Sequence, residues 1–194
     1  MYLWTSLRLL ILSAAFYLLS GCAVNPPAET PLPEKPLGSL NSWTMEGKLG
    51  FRSPQKNGSA WINWQQAGTG YSLHLSRPFG AKATQIEGNE DYAVLRQAGE
   101  KELVAPNAQT LTARLFGWPL PVEQMTQWVK ARPSSSAAGV VYNDSGQVES
   151  LEQDGWHLEY SNYQRQDSWT LPGKIRGTKG DIAFTLVVKS WKTP

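Results

Sequence analysis

Trp43-Thr44-Met45-Glu46-Gly47-Lys48-Leu49-Gly50-Phe51-Arg52 alternates strictly. Met45, Gly47, Leu49 and Phe51 share one face, while Thr44, Glu46, Lys48 and Arg52 share the other. A period of two with one apolar face predicts a half-buried strand. The same reading extends downstream. Asn57-Gly58 marks a turn, and Ala60, Ile62 and Trp64 then share one face of a second strand. Tyr71, Leu73 and Leu75 form the apolar face of a third, with Ser72, His74 and Ser76 opposite. Shorter runs at 84–86, 92–96 and 101–104 continue an up-and-down antiparallel series, turning at Gly88-Asn89 and Gly99-Glu100.

After Pro106 the period changes. Ala108, Leu111, Leu115 and Phe116 recur at helical spacing, and Gly117 stands where a helix end takes a left-handed residue. Pro121 opens a second helical pattern, Val122, Met125, Trp128 and Val129, which must stop before Pro133. Strands resume at 140–142, 148–151, 156–163, 174–176 and 182–189, where Ile182, Phe184, Leu186 and Val188 line one face. About ten strands at about 4.8 Å spacing make a sheet about 48 Å wide. Two helices about 10 Å across cover less than half of it. Such a sheet must curl, close on itself or fold into two layers. Periodicity alone leaves a hollow curled sheet and a solid two-sheet sandwich equally open.

Upstream of the strands lies a different kind of sequence. Arg8, an apolar run from Leu9 to Leu19 and the small residues before Cys22 read as a secretory signal peptide. The run is too short for a transmembrane helix, which needs about 20 residues. Leu19-Ser20-Gly21-Cys22 resembles the bacterial lipobox, in which the chain is cut before the cysteine and the thiol is lipidated. Cys22 is the chain's one cysteine, so once acylated it leaves no disulfide. Residues 1–21 are thus expected to be removed, residues 22–41 to form a lipidated proline-rich linker, and 42–194 to fold. Ala23, rather than aspartate, follows the cysteine, which resembles sorting to the outer membrane.

The formal net charge of +2 drops by one with the loss of Arg8 and, taken over the whole chain, gives no electrostatic case for nucleic acid or for anionic membranes. His74 and His157 fall on polar strand faces without partners at metal-ligand spacing, and no phosphate loop or nucleophile elbow occurs. No metal, no cofactor and no enzymatic activity are expected.

Several phrases in order carry a resemblance. They are Trp43…Gly47-Lys48-Leu49-Gly50, Trp64-Gln65-Gln66, Tyr71 to Gly80, Gly117-Trp118-Pro119-Leu120-Pro121-Val122, Gln127-Trp128-Val129, Gly155-Trp156…Tyr160…Tyr163, Leu171-Pro172 and Trp191. Together with the lipobox and linker, this set resembles the LolB family of outer-membrane lipoprotein receptors. The resemblance implies a mainly β fold, a strongly curved antiparallel half-barrel of about eleven strands with a helical lid over a hydrophobic cavity. It implies a monomer on the periplasmic face of the outer membrane, held by lipid on Cys22. Such a receptor accepts acylated lipoproteins from a soluble periplasmic carrier (LolA-like) of the same architecture and inserts them into the membrane without an energy source.

Arg77-Pro78-Phe79-Gly80 matches the family's protruding loop, with Phe79 at the tip where a leucine is usual. Phe79 is therefore expected to serve membrane insertion. The acyl-chain cavity is expected to be lined by Leu49, Phe51, Ile62, Trp64, Leu73, Leu75, Ile86, Phe184 and Leu186 of the sheet. Leu111, Leu115, Val122, Met125, Trp128 and Val129 would face it from the lid. Two other functions fit the residues alone: a lipoprotein that binds a different lipid or apolar ligand, and a structural lipoprotein with a solid core that tethers partners.

Overall fold

The computed structural model describes residues 33–76, 83–136 and 138–194. The expectations for Cys22 and Phe79 fall outside these residues.

Among the described residues, thirteen strands and two α-helices follow one another. The first six strands are β1 (Ser42–Arg52), β2 (Asn57–Ala67), β3 (Gly70–Ser76), β4 (Thr84–Gly88), β5 (Ala93–Gln97) and β6 (Leu103–Ala105). Helices α1 (Ala108–Phe116) and α2 (Val122–Trp128) come next. The chain then forms β7 (Gly139–Tyr142), β8 (Val148–Gln153), β9 (Trp156–Ser161), β10 (Gln164–Gln166), β11 (Trp169–Leu171), β12 (Lys174–Lys179) and β13 (Ile182–Lys192). Eleven strands make one curved antiparallel sheet in the order β6-β5-β4-β3-β2-β1-β13-β12-β9-β8-β7, while β10 and β11 pair separately. The first and last strands of the chain lie side by side at the middle of the sheet, and β6 and β7 are its unjoined edges. The sheet curls but does not close.

Side-chain size explains two features of this sheet. Gly47 sits at a register shift between β1 and β13. A Cβ there would meet the Val187 carbonyl oxygen at 2.4 Å, so the strands can approach only over glycine. Gly177 likewise leaves room for the Phe184 ring, which a Cβ would meet at 2.2 Å.

The structure corrects the turn expected at Asn57-Gly58. These residues belong to β2, paired with Arg52 and Phe51, and the chain reverses at 53–56 instead. There Ser53 Oγ donates to the Lys56 carbonyl (3.0 Å) and accepts from the Lys56 amide (3.0 Å). Gly58 is a clearance rather than a turn, since a Cβ would stand 3.0 Å from the Phe51 ring. A second correction concerns the strand expected over 156–163. It ends at Ser161 because Asn162 adopts φ 56°, and the β10–β11 ribbon follows, turning at Asp167 with φ 52°.

The helices begin and end where local chemistry dictates. Asn107 caps α1 by accepting from the Thr110 amide at 3.0 Å, and Gly117 closes it in the left-handed region at φ 78°. Pro121 precedes α2, where a missing backbone N–H costs no helical hydrogen bond. Upstream of β1 the chain is already docked. The Lys35 amide donates to the Ser168 carbonyl at 2.7 Å, a 3₁₀ turn spans Leu37–Ser39, and Leu40 is fully buried.

Candidate functional site

One apolar cluster fills the concave side of the sheet beneath the helices. From the sheet, Leu49, Phe51, Ile62, Trp64, Leu73, Leu75, Ile86, Phe184 and Leu186 all enter it buried. Leu111, Val122, Met125, Trp128 and Val129 enter it from the helices and the residue that ends α2. The structure thus gathers these fourteen sequence-selected side chains into one interior. Leu115 differs. It is half-buried and packs against the margin, because α1 turns its Leu111 and Phe116 inward and leaves Leu115 at the boundary.

Aromatic rings connect the helices to the wall. Phe116 of α1 lies 4.8 Å from Phe51 of β1, centroid to centroid. On the other side, Trp156 of β9 meets Trp118 at 5.6 Å, Trp128 of α2 at 6.2 Å and Phe184 of β13 at 5.4 Å. Such tilted ring pairs each contribute about 1 kcal/mol beyond the area they bury. Trp118, Trp156, Leu151, Leu158 and Ile175 are as deeply buried as the expected lining residues. The alternation Trp156, Leu158, Tyr160 was the signal for this half of the wall, but it does not distinguish lining from ordinary packing.

Few polar contacts hold the helices down. Glu123 of α2 accepts from the Ala108 amide at the start of α1 (3.0 Å) and, at 3.5 Å, from the Tyr71 hydroxyl on β3. Burial and the nearby Glu123 carboxylate push the Tyr71 hydroxyl well above its ordinary pKa. Trp128 Nε1 donates to Gln153 Oε1 on β8 at 2.9 Å, and the same oxygen accepts from the Ser134 amide. Thr112 Oγ1 accepts from the Leu120 amide at 2.9 Å, fixing the turn between the helices. Beyond α2, Lys130 is only 2% exposed and donates to the Leu40 carbonyl at 2.9 Å. Burial, with help from the Arg132 charge, pushes its ammonium down to about 8.

Four donors in this interior, Trp43 Nε1, Trp118 Nε1, the Tyr160 hydroxyl and Trp169 Nε1, meet no acceptor among the described residues. A buried unpaired donor costs about 1–3 kcal/mol. The histidines stand elsewhere. His74 is exposed beside Ser72, and His157 pairs with Glu152 at 2.5 Å on the outer face.

The sequence profile described as "Outer membrane lipoprotein LolB" matches residues 41–191. The chain belongs to the LolB family. The LolB match begins one residue before β1 and ends one residue short of the end of β13, so it takes in all but the last residue of the sheet and both helices. The outer-membrane lipoprotein LolB of Cellvibrio japonicus is 36% identical over 184 residues, 90% of this chain and 91% of its own. That of Pseudomonas fluorescens is 33% identical over 196 residues, 95% and 96% of the two chains. Among solved structures, a LolA-superfamily protein from Nitrosomonas europaea aligns with a TM-score of 0.54 over 80% of this chain and 87% of its own. At 9% identity that likeness speaks for the fold alone. This chain therefore shares its fold with that LolA-superfamily protein.

Proposed function

We propose that this LolB-family lipoprotein is a receptor that takes acylated lipoproteins from a LolA-like periplasmic carrier and inserts them into the outer membrane. In this reading residues 1–21 are the signal peptide, acylated Cys22 is the anchor, the linker runs from it to the docked residues 35–41, and 42–194 with that docked stretch form the binding domain, on the periplasmic face. The protein acts as a monomer and is not an enzyme. The observation that carries the proposal is the concave apolar wall of eleven strands covered by two short helices. Support also comes from the four unpaired donors, since a core selected only for solidity would not retain them.

Acyl chains would enter by displacing the helices from the wall, replacing apolar protein contacts with apolar lipid contacts. Each buried methylene contributes about 0.8 kcal/mol. A ladder of affinities rising from carrier to receptor to membrane then suffices, and transfer needs no nucleotide. Leu49, Phe51, Ile62, Trp64, Leu73, Leu75, Ile86, Phe184 and Leu186 form the wall of the chain site. Leu111, Leu115, Val122, Met125, Trp128 and Val129 form its cover, and Phe79 is the apolar wedge that enters the bilayer.

Transfer of a labelled lipoprotein from purified carrier to this protein in vesicles, without ATP, tests the reading. Loading and membrane insertion are scored separately. Phe79→Glu is expected to load normally and to stop inserting, and Phe79→Leu to do both. Absence of transfer by the unaltered protein overturns the receptor function. Joint loss of loading and folding in Phe79→Glu assigns Phe79 to the core instead.

A further inference from the structure

Six large apolar side chains are exposed among the described residues: Trp61, Tyr92, Val104, Val141, Tyr142 and Val187. Val104 lies on edge strand β6, Val141 and Tyr142 lie on edge strand β7, and Tyr92 sits in the turn before β5. Trp61 and Val187 are different. They stand near the middle of the sheet, 48% and 46% exposed, on its outer face.

The register places them in one row. Trp61 on β2 is opposite Lys48 on β1, Lys48 is opposite Val187 on β13, and Val187 is opposite Lys174 on β12. Across four adjacent strands the outer face thus reads apolar, basic, apolar, basic. Lys48 Nζ lies 5.9 Å from the Trp61 ring centroid. Among the described residues neither Lys48 nor Lys174 is paired with a carboxylate. The row is flanked by Ser76 on β3 and Ser161 on β9. A shallow groove of about 370 Å³ beside Trp61 brings in His74 and Lys189, with Glu46 its single carboxylate. Glu46 accepts from Asn63 Nδ2.

We propose that this row is a second membrane contact, seated at the headgroup level of an anionic phospholipid leaflet. Indole is favoured at that level because it is apolar with one polar edge, and lysine stems snorkel so that the ammonium meets phosphate. Charge complementarity selects the occupant, since two unpaired ammonium groups flank apolar side chains with no acid in the row. Position agrees with it. Ser76, opposite Trp61, is the last residue of β3, and the segment carrying Phe79 follows directly in the chain. The row would then orient an anchored outer-membrane lipoprotein on the leaflet. This inference rests on family membership and the outer face, and not on acyl-chain binding by the interior.

Trp61 gives the test its readout, because every other tryptophan among the described residues is buried. The full lipid-anchored protein is placed in vesicles of phosphatidylethanolamine and phosphatidylglycerol whose chains are brominated near the glycerol. Tryptophan emission is expected to be quenched, and Trp61→Phe to abolish most of that quenching. Each basic side chain near an anionic surface is worth about fivefold in partitioning, so Lys48→Glu with Lys174→Glu should lower the quenching at least about tenfold. Replacing phosphatidylglycerol with phosphatidylcholine should act likewise. Melting curves of all variants should coincide, and Lys48→Gln with Lys174→Gln serves if the charge reversal does not fold. Equal quenching in Trp61→Phe, or indifference to the lysine substitutions, overturns the proposal. Shielding of Trp61 from aqueous acrylamide by added carrier but not by vesicles also overturns it and makes the row a protein-docking face. Acyl-probe loading is followed on the same samples, so failure of the interior site is read independently.

Discussion

The sheet wall and its helical cover meet at one apolar interface but are built differently. Every strand of the wall except the edges is hydrogen-bonded on both sides, and glycines at 47, 58 and 177 let neighbouring atoms approach more closely than any side chain would. The cover consists of helices of nine and seven residues, each too short to be stable alone. It is held by ring contacts and by a handful of polar links through Glu123, Gln153 and Thr112. The comparison teaches where motion is cheap. A register slip in the wall would expose every apolar residue of a strand, whereas lifting a helix breaks only a few contacts.

The largest test of this contrast lies in the wall. Leu73 is 1% exposed between Trp64 and Ile86 on neighbouring strands. Leu73→Asp places an unpaired charge there and is expected to lower unfolding free energy by about 4 kcal/mol in urea titration, with loss of acyl-probe binding. In the cover, Glu123→Ala removes the acceptor shared by Ala108 and Tyr71. It should cost about 1–2 kcal/mol while speeding acyl-probe uptake in stopped-flow mixing. If Glu123→Ala costs as much as Leu73→Asp, or slows uptake, the cover is not the looser part.

A pH-dependent test belongs to Lys130, which ties the end of the cover to the chain before β1. Its ammonium is pushed down to about 8 from 10.5, so between these values the unfolded chain holds a proton that the folded chain has released. Stability therefore rises with pH from about 8. Above about 10 the sign reverses, because Tyr71, Tyr160 and Tyr163 have raised pKa values and stay protonated in the fold while ionising when unfolded. Urea midpoints from pH 7.5 to 11 should pass through a maximum near 10. Lys130→Met should remove the rising limb and keep the fall.

Much of this fold was legible before any coordinates. Alternation in β1, β2, β3 and β13 as far as Val188 depends on residue type alone, because a strand's side chains must alternate between solvent and core. Helix boundaries were equally local, set by Pro121 and by the left-handed Gly117. Asn57-Gly58 misled because its turn chemistry is genuine in isolation. Only the Phe51 ring across the strand shows why a glycine is needed there. The β10–β11 ribbon escaped notice since three-residue strands contain too few positions to display a period.

The sequence by itself determined which side chains seek burial, where the chain changes from strand to helix, and which family it resembles. Tertiary structure alone decided that β13 returns to pair with β1, leaving β6 and β7 as open edges. It also decided which residues of opposite halves meet, as Trp156 meets Trp118, Trp128 and Phe184. On the outer face, it alone set Lys48 between Trp61 and Val187. The physical reason is range. Period and turn chemistry act between near neighbours in sequence, whereas strand order and register depend on contacts that the chain makes only once it has closed on itself.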